Sequence, residues 1–300
     1  MRSRVALVSA RAARHLDEDL APLLGALEQA GVDAAVADWD DPRVDWAAYR
    51  LALLRSTWDY AERLPEFLAW ADRTAAVTAL INPPPVIRWN TDKHYLTQLA
   101  RAGVPTVPTW FVEPNEHGAR QLDRFLSQEG PAEWVVKPAV GAGSRDAARY
   151  VRGEERVAAA HVDRLVEAGR SVMLQPYLDQ VDQHGETALI FFAGRFSHAI
   201  RKGALLRRGS APTEALFAAE QITTRTPAAE ELQVGHRVLA ALPFAMPLYA
   251  RVDLIRFQDG RPCLLEVELT EPSLFFAQAP DAAARLAAHL RSTGLGLSLS

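Results

Sequence analysis

Length, composition and charge narrow the class of protein before any motif is considered. The chain has 300 residues, 49% of them hydrophobic and 23% charged, and a formal net charge of -4. This composition is typical of a globular protein with one large domain or two to three smaller ones. The charge argues against a nucleic-acid partner, and no apolar run approaches the roughly 18 residues of a membrane span. The single cysteine, Cys263, excludes an internal disulfide, which fits a cytoplasmic location.

Residues 1–85 predict a small α/β domain. Short apolar strands alternate with two amphipathic helices, one closed by Gly31 and the other spanning residues 63–77. This order predicts a parallel sheet, and ligands collect at the carboxyl ends of such strands. The loop RSTWDY, residues 55–60, follows the third strand and is therefore expected at a ligand site. The prolines of INPPP, residues 81–85, mark the end of this domain.

Residues 86–178 are expected to form a central domain. It begins with a helix that Asn90 or Thr91 caps and that ends at Gly103. Strands and helices then alternate as far as Tyr177, with a glycine-rich turn between two of the strands.

Residues 179–300 are expected to form a third domain of strands and helices. Two strands joined at Gly194–Arg195 come first, and residues 204–225 follow as a long polar loop without a clear period. Because long loops in compact domains are often functional, we interpret this one as a lid. A solvated basic loop is the alternative. The cations at this lid are Arg201, Lys202, Arg207 and Arg208.

The most informative polar cluster lies in a predicted hairpin near the end of the chain. Asp259–Gly260 is typical of a two-residue hairpin loop, which pairs positions whose numbers add up to 519. This register sets Asp253 opposite Glu266, and it sets Arg251 opposite Glu268. Because side chains alternate between faces, all four share one face. Toward the turn, that face continues with Ile255, Phe257 and Leu264.

The opposed acids Asp253 and Glu266 require a counter-charge. Like charges directly opposed across two strands are destabilising, with Cβ atoms only about 5 Å apart. Two such carboxylates share a proton or bind a cation, and hard oxygen ligands suit Mg²⁺. Glu268 adds a third oxygen donor, and Arg251 is placed to bind an anion beside the metal. An exposed strand edge with a surface ion pair is the alternative.

The glycine-rich turn is interpreted as a phosphate cradle. In the stretch WVVKPAVGAGSRDAARYV, three residues, Gly141, Gly143 and Ser144, let backbone N–H groups converge on an anion. A strand follows, and no Gly-Lys-Ser/Thr is present, so neither a dinucleotide fingerprint nor a Walker A loop is indicated. An ordinary long hairpin is the alternative. Lys137 ends the preceding apolar strand, where its ammonium needs a partner such as phosphate, and Lys93 is a second candidate.

Taken in order, these motifs resemble the ATP-grasp superfamily, to which D-alanine–D-alanine ligase and glutathione synthetase belong. The resemblance covers residues 90–275 and rests on Lys93, VVKP with GAGS, LQPYL, RVDLI and LLEVE. It implies an α/β and α+β fold, with an N-terminal βαβ domain and two α+β subdomains that clasp ATP. It also implies Mg²⁺, with two ions, and phosphorylation of a carboxylate followed by nitrogen attack on the acyl phosphate.

The same resemblance implies roles for individual residues. Two positions depart from the family pattern: Glu268 replaces the usual asparagine, which leaves the metal count open, and Gln175 replaces a frequent glutamate. The implied ATP-binding residues are Lys93, Lys137, Gly141, Gly143, Ser144, Gln175, Tyr177, Leu178 and Glu186, with Asp179 and Asp182 as weaker ribose candidates. The implied metal ligands are Asp253, Glu266 and Glu268, and the implied catalytic residue is Arg251. Lys202, one of the lid cations, is the second catalytic candidate.

The RSTWDY loop bears on the substrate. It resembles the loop of small bacterial ATP-grasp proteins whose nearest characterised type is the D-cycloserine synthetases, which close O-ureido-D-serine into a ring. The resemblance implies a small amino-acid-like substrate. A strand-to-helix connection with packed aromatics is the alternative. The implied substrate residues are Arg55, Ser56, Thr57, Asp59 and Ser273, with Trp58 and Tyr60 as walls.

Three functions remain open from the sequence. The best fit is an ATP-dependent ring-closing ligase of antibiotic biosynthesis, and a ligase of the same fold that joins two molecules is the first alternative. A non-catalytic ATP-binding protein is disfavoured, because it needs neither Arg251 nor the full set of carboxylates. The expected partner is a small molecule rather than nucleic acid or membrane, and a homodimer is compatible with the sequence.

Overall fold

The computed structural model describes residues 4–209 and 221–292, which form three β-sheets with flanking helices. The sheets follow one another along the chain and lie within the expected ranges 1–85, 86–178 and 179–300. No helix in the described part of the chain is long and apolar enough to cross a membrane.

The first sheet is the parallel α/β layer that the sequence predicts. Its elements are β1 Val5–Ser9, α1 Leu20–Gln29, β2 Ala34–Asp38, β3 Leu51–Leu54, α2 Leu64–Ala75 and β4 Ala79–Ile81. The strand order is β2-β1-β3-β4, with α1 packed on one face and α2 on the other. Burial on both faces explains why β1 is apolar as far as Val8 and why β3 is apolar throughout. β4 is an additional strand, too short for its residues to show a period.

Two short helices replace the single helix predicted around Lys93. They are α3 Pro84–Asn90 and α4 Tyr95–Arg101, and Lys93 lies in the turn between them. The predicted N-caps are wrong, because Asn90 ends α3 and Thr91 follows it. Proline at the first position of α3 explains why INPPP ends a strand and still begins a helix.

The second sheet is antiparallel and has two helices on one side. Its elements are β5 Trp110–Val112, α5 Gly118–Glu129, β6 Glu133–Pro138, β7 Ala148–Val151, α6 Glu155–Glu167 and β8 Val172–Pro176. The strand order is β5-β8-β6-β7. The predicted strand, glycine-rich turn and strand are therefore confirmed as β6, residues 139–147, and β7.

The third sheet carries the predicted carboxylate hairpin. Its elements are α7 Gln180–His184, β9 Glu186–Phe192, β10 Arg195–Lys202, β11 Ile222–Arg225, α8 Ala229–Ala240, β12 Tyr249–Arg256, β13 Pro262–Glu268 and α9 Asp281–Ser292. The strand order is β11-β10-β9-β12-β13, all antiparallel.

Two predictions about this sheet need correction. The turn between β9 and β10 is Ala193–Gly194, one residue earlier than predicted, and both residues have positive φ values, +47° and +76°. Part of the predicted lid, residues 222–225, forms strand β11 beside β10. Residues 210–220 of the predicted lid lie outside the described residues.

The carboxylate hairpin reaches the predicted pairing by a different route. Gly260 donates its N–H to the Phe257 carbonyl at 2.9 Å, so the loop has three residues, not the predicted two. A bulge at Leu265 then shifts the register back by one residue. Asp253 opposite Glu266 is therefore confirmed, as is Arg251 opposite Glu268. Leu264 was wrongly expected on the face of the acids, because the bulge turns it into the core and puts Leu265 in its place.

The first and third sheets share one hydrophobic core. Leu7 of β1 and Ile190 of β9 belong to the same buried cluster, together with Leu286 and Leu290 of α9. The end of the described chain thus packs back onto the first sheet, and α9 lies against α1. This packing brings the loops of the first sheet next to the residues that follow β13.

Candidate active site

One cleft collects most of the predicted site residues. Side chains from the second and third sheets line it, together with Trp58 from the first sheet's loop. Of the predicted residues, the lining includes Lys93, Lys137, Gly141, Gly143, Ser144, Gln175, Tyr177, Leu178, Glu186, Lys202, Arg251, Asp253, Glu266, Glu268 and Ser273.

The centre of the cleft is a network of acids and cations on β10, β12 and β13. Arg251 donates from Nε to Oδ1 of Asp253 at 2.9 Å, and Lys202 Nζ lies 2.7 Å from Oδ2 of the same carboxylate. Burial opposes ionisation of Asp253, but the two cations outweigh it and lower its pKa to about 2. Arg251 also pairs with Glu268, and Lys202 lies 3.1 Å from Glu186.

The third predicted metal position, Glu268, differs electrostatically from Asp253. Burial raises the pKa of Glu268 to about 7, although Arg251 acts in the opposite direction. Lys93 Nζ lies 3.2 Å from the remaining acid, Glu266. Across the described residues, no three acid, histidine or cysteine side chains are arranged to hold a metal ion, and each of these three acids contacts a cation instead. The donors themselves are carboxylate oxygens, which fit Mg²⁺.

At the glycine-rich loop, the cleft has a lysine without a hydrogen bond or ion pair in the described part of the chain. Within the described part of the chain, Lys137 makes no hydrogen bond or ion pair, and burial lowers its pKa against the pull of Glu266. Lys93 instead donates to the Gly141 carbonyl at 2.8 Å. A half-buried ammonium without a hydrogen bond or ion pair among the described residues, beside a glycine-rich loop, fits a phosphate.

Two arginines hold the glycine-rich loop from behind. Gly143 and Ser144 have left-handed backbone, with φ of +61° and +59°, and so does Asp146 at +58°. The Asp146 carboxylate accepts from Arg164 at 3.0 Å and from Arg170 at 2.6 Å. This anchor sets the loop conformation where two L-residues adopt an unfavourable φ.

The other end of the cleft is an apolar slot beside Gln175, Tyr177 and Leu178, which the family resemblance predicts to bind ATP. Gln175 points its amide at Thr109 Oγ1, 2.8 Å away, so its side chain supports the wall. The guanidinium of Arg149 lies 3.4 Å from the centre of the Tyr177 ring. The apolar side chains of the slot are Val107, Val135, Leu178, Val181, Ile255 and Leu265.

The weaker ribose candidates lie outside the cleft lining. Asp182 accepts from the Tyr177 hydroxyl at 2.5 Å and from Arg149 at 3.2 Å, and Asp179 accepts from Gln258 at 2.8 Å. Glu186 does line the cleft.

Of the four cations assigned to the lid, Lys202 alone lines the cleft within the described residues. Arg201 donates to the His184 carbonyl at 2.7 Å, and Arg208 pairs with Glu133. Arg207 is not among the lining residues, whereas the neighbouring apolar residues Leu205 and Leu206 are.

The RSTWDY loop lies behind the cleft more than in it. Arg55 is only 1% exposed and donates to the Pro272 carbonyl at 3.0 Å. Ser56 hydrogen-bonds Ser9 within the first sheet at 2.7 Å, and Thr57 is buried. Asp59 accepts from Trp39 Nε1 at 2.8 Å and is also outside the lining.

Sequence reasoning missed two residues that shape this part of the cleft. Glu271 lines the cleft just after β13, and burial raises the pKa of its carboxyl to about 8. Asp19 accepts backbone N–H groups from Leu274 at 2.6 Å and Phe276 at 2.8 Å, which holds the segment behind Ser273. The polar stretch TEPS, residues 270–273, directly after the strand could have indicated that Glu271 lies at the site. No local pattern indicates Asp19.

Comparisons with known proteins agree with this geometry. Residues 5–82 match the family model described as the N-terminal domain of D-cycloserine synthetase DcsG. The cycloserine biosynthesis protein DcsG of Streptomyces lavendulae is 43% identical over 292 residues, which cover 94% of this chain and 96% of that protein. The crystal structure of D-cycloserine synthetase DcsG aligns with a TM-score of 0.90 and 41% identity, covering 96% of this chain and 98% of that one.

A more distant structure shows the shared fold. D-alanine–D-alanine ligase from Bacillus anthracis, complexed with ATP, aligns with a TM-score of 0.68 and 17% identity over 98% of this chain and 97% of that one. ATP-grasp ligases of this kind use ATP and Mg²⁺. The predicted ATP-grasp fold is thus confirmed, and the chain belongs to the D-cycloserine synthetase (DcsG) family of ATP-grasp ligases.

Proposed function

We propose that this protein closes O-ureido-D-serine to D-cycloserine at the expense of ATP, as a step of antibiotic biosynthesis. The nitrogen bound to oxygen would displace phosphate from the acyl phosphate, and the carbamoyl group would be lost by hydrolysis as carbon dioxide and ammonia. The proposal is supported by the place where the ATP-binding cleft and the first sheet's loop come together. The ATP-grasp cleft and the RSTWDY loop converge on the segment after β13, in a chain 43% identical to DcsG over nearly its full length.

The apolar slot would hold the adenine of ATP, and backbone groups of residues 175–178 would hydrogen-bond the polar edge of the base. Glu186 would accept from the ribose. Lys137 is the best-supported phosphate ligand, because its half-buried ammonium lines the cleft and makes no hydrogen bond or ion pair within the described residues. Lys93 and the loop from Gly141 to Ser144 would complete the phosphate site.

For the metal, the proposal assigns Asp253, Glu266 and Glu268 as ligands of two Mg²⁺ ions. When bound, the ions would neutralise charge on the phosphates during transfer. Lys202 and Arg251 now balance these acids and would turn toward phosphate oxygens instead. Arg251 is suited to hold the acyl phosphate, because its planar group binds oxyanions in a bidentate manner.

For the substrate, Ser273 and Trp58 are proposed to contact O-ureido-D-serine directly, since both line the cleft. The other predicted substrate residues are proposed to act through the walls that they hold. One molecule would supply both the carboxylate and the attacking nitrogen, and such reactions reach effective molarities of about 10⁵–10⁸ M. A cytoplasmic location belongs to the proposal, since Cys263 is a buried free thiol. The remaining predicted substrate residues are Arg55, Ser56, Thr57 and Asp59.

The test is a coupled assay with ATP, Mg²⁺ and O-ureido-D-serine as sole acceptor. We expect ADP release and a product lighter than the substrate by mass spectrometry. ADP release that needs a second amine would favour the ligase joining two molecules. No substrate-stimulated ADP release with any amino-acid carboxylate would leave only an ATP-binding protein.

A further inference from the structure

Glu271 differs from the other acids of the cleft in its charge partners. The four other lining acids each have a cation within 4 Å: Asp253, Glu186, Glu266 and Glu268. Among the residues that the structure describes, Glu271 has no such ion pair. It is only 6% exposed, so water does little to solvate its charge.

The position of Glu271 is set by the first sheet's loop. The Tyr60 hydroxyl interacts with its carboxyl group and favours the ionised form. Trp58 Nε1 donates to its backbone carbonyl at 3.0 Å, and Arg55 donates to the next carbonyl, that of Pro272, at 3.0 Å. Three side chains of one hexapeptide thus hold this acid at the cleft wall, which is more support than a surface carboxylate receives.

A buried carboxylate without a cation is costly unless a ligand supplies the charge. Lys93, Lys202 and Arg251 are already paired with the other acids. Among the neighbouring charges, Glu268 and Glu266 act against the ionisation of Glu271, whereas Lys93, which is itself paired with Glu266, acts in its favour. The cleft wall around Trp58, Glu271 and Ser273 therefore favours a positively charged group.

From this geometry we propose that Glu271 is a specificity-determining residue that binds the ammonium group of the amino-acid substrate, with Tyr60 as its positioning residue. This inference rests on the proposed function, because it names the group of the substrate that this wall receives. It also explains why the RSTWDY loop lies mostly behind the cleft. The loop positions Glu271, which binds the amine. A substrate that has a carboxylate but no amine would lack this contact.

The experiment compares substrates with and without the amine. O-ureido-D-serine and its des-amino analogue are tested with the wild type, Glu271→Gln, Glu271→Asp and Tyr60→Phe. A hydrogen bond between charged groups is lost in Glu271→Gln, so we expect the preference for the amine, as a ratio of kcat/KM values, to fall roughly 10- to 100-fold. The KM for ATP and the activity on the des-amino analogue should stay unchanged. Glu271→Asp should restore part of the preference.

Tyr60→Phe should lower the same preference by a smaller factor, without changing the KM for Mg²⁺. Glu129→Gln, on an exposed part of α5, is the matched control and should behave as the wild type. An equal loss on both substrates, or a raised KM for Mg²⁺ in Glu271→Gln, would assign Glu271 to folding or to metal binding and overturn the inference. An unchanged preference would do so as well.

Failure of the proposed function is visible separately, because it appears in the wild type as absence of ADP release. Calorimetry then tests the inference without turnover, with D-serine and its des-amino counterpart 3-hydroxypropanoate in the presence of a non-hydrolysable ATP analogue. Selective binding of D-serine that Glu271→Gln abolishes supports the amine contact. Equal binding by the wild type and the variant overturns it.

Discussion

Each of the three acids assigned to Mg²⁺ is balanced by a cation of the cleft. Asp253 contacts both Arg251 and Lys202, and Glu266 contacts Lys93. Because removing one partner from a buried ion pair leaves the other uncompensated, these residues are constrained by folding as well as by chemistry. The same cations carry the positive charge that would bind the phosphates of ATP. ATP binding would therefore rearrange these ion pairs.

At this scale we expect Asp253→Asn and Glu266→Gln to lower turnover at least about 100-fold, because each removes a negative oxygen donor where charge must be held in the transition state. Steady-state ADP release measures the loss, and circular dichroism checks that the variants stay folded. Asp259→Asn, on the exposed tip of the same hairpin, is the control and should keep full activity. Wild-type turnover in either cleft variant would contradict the metal assignment.

Among the elements, the β12–β13 hairpin decides the geometry of the acids. Its loop and its bulge each shift the register by one residue, in opposite directions, so the acids stay opposed. The loop depends on Gly260, whose φ of +84° is left-handed. A side chain there would meet no neighbour within 4 Å, so only backbone strain opposes it.

Gly260→Ala is therefore expected to lower the free energy of unfolding by roughly 1–2 kcal/mol, the cost of left-handed backbone for an L-residue. Thermal denaturation should show the decrease. Gly25→Ala is the matched comparison, since Gly25 lies in α1 with equally open space but helical backbone. It should raise the melting temperature, because alanine is about 1 kcal/mol better than glycine in a helix. A melting temperature for Gly260→Ala equal to that of the wild type would contradict the strain argument.

Helix α6 contributes a pH-dependent term to stability through His161. Burial lowers the pKa of this histidine to about 4, and its Nδ1 lies 2.9 Å from the Tyr150 hydroxyl. In the unfolded chain, a histidine titrates near its ordinary pKa of about 6.5. The unfolded state therefore binds a proton that the folded state does not, and the stabilisation is complete above pH 6.5 and is lost as the pH falls toward 4.

We predict that His161→Leu flattens this dependence by up to about 3 kcal/mol between pH 7 and pH 4, the value of the pKa difference. Urea denaturation at several pH values measures it. His117→Leu, at an exposed position, should leave the slope unchanged. If His161→Leu keeps the wild-type slope, another group causes it.

For the whole molecule, single asparagines join parts of the chain that lie far apart in sequence. Asn90 at the end of α3 donates to the Val267 carbonyl at 2.7 Å and accepts from the N–H groups of Leu269 and Thr270 at 2.7 and 3.0 Å. Asn82 similarly binds the carbonyl groups of Tyr249 and Leu269. These contacts hold the end of β13 and hence the acids on it.

Asn90→Ala leaves several buried backbone groups without partners, so we expect the free energy of unfolding to fall by about 2–4 kcal/mol. The urea midpoint should decrease, and the KM for ATP should rise because the end of β13 loosens. Asn115→Ala, in an exposed loop, should change neither value. An unchanged urea midpoint in Asn90→Ala would show that water replaces these hydrogen bonds.

Much of the fold and of the nucleotide side of the cleft could be predicted from local sequence. Alternation between strand faces and the strand–glycine–strand pattern depend on residues close in the chain, and they led to Lys137 and the opposed pair Asp253 and Glu266. The family resemblance supplied the ATP-binding role expected of residues 175–178 and strengthened that of Lys93. The predicted hairpin pairing was correct although the predicted loop length was wrong, because the bulge at Leu265 offsets the extra loop residue. No local pattern in the sequence marks this bulge.

The substrate side depended on packing between distant segments. Arg55 donates to a carbonyl 217 residues away, and Trp58 to one 213 residues away. No periodicity or turn signal encodes such contacts, because they arise only when the first and third sheets share a core. For this reason the sequence alone predicted neither the burial of Arg55 and Asp59 behind the cleft nor the position of Glu271, which these sheets bring to the wall of the cleft.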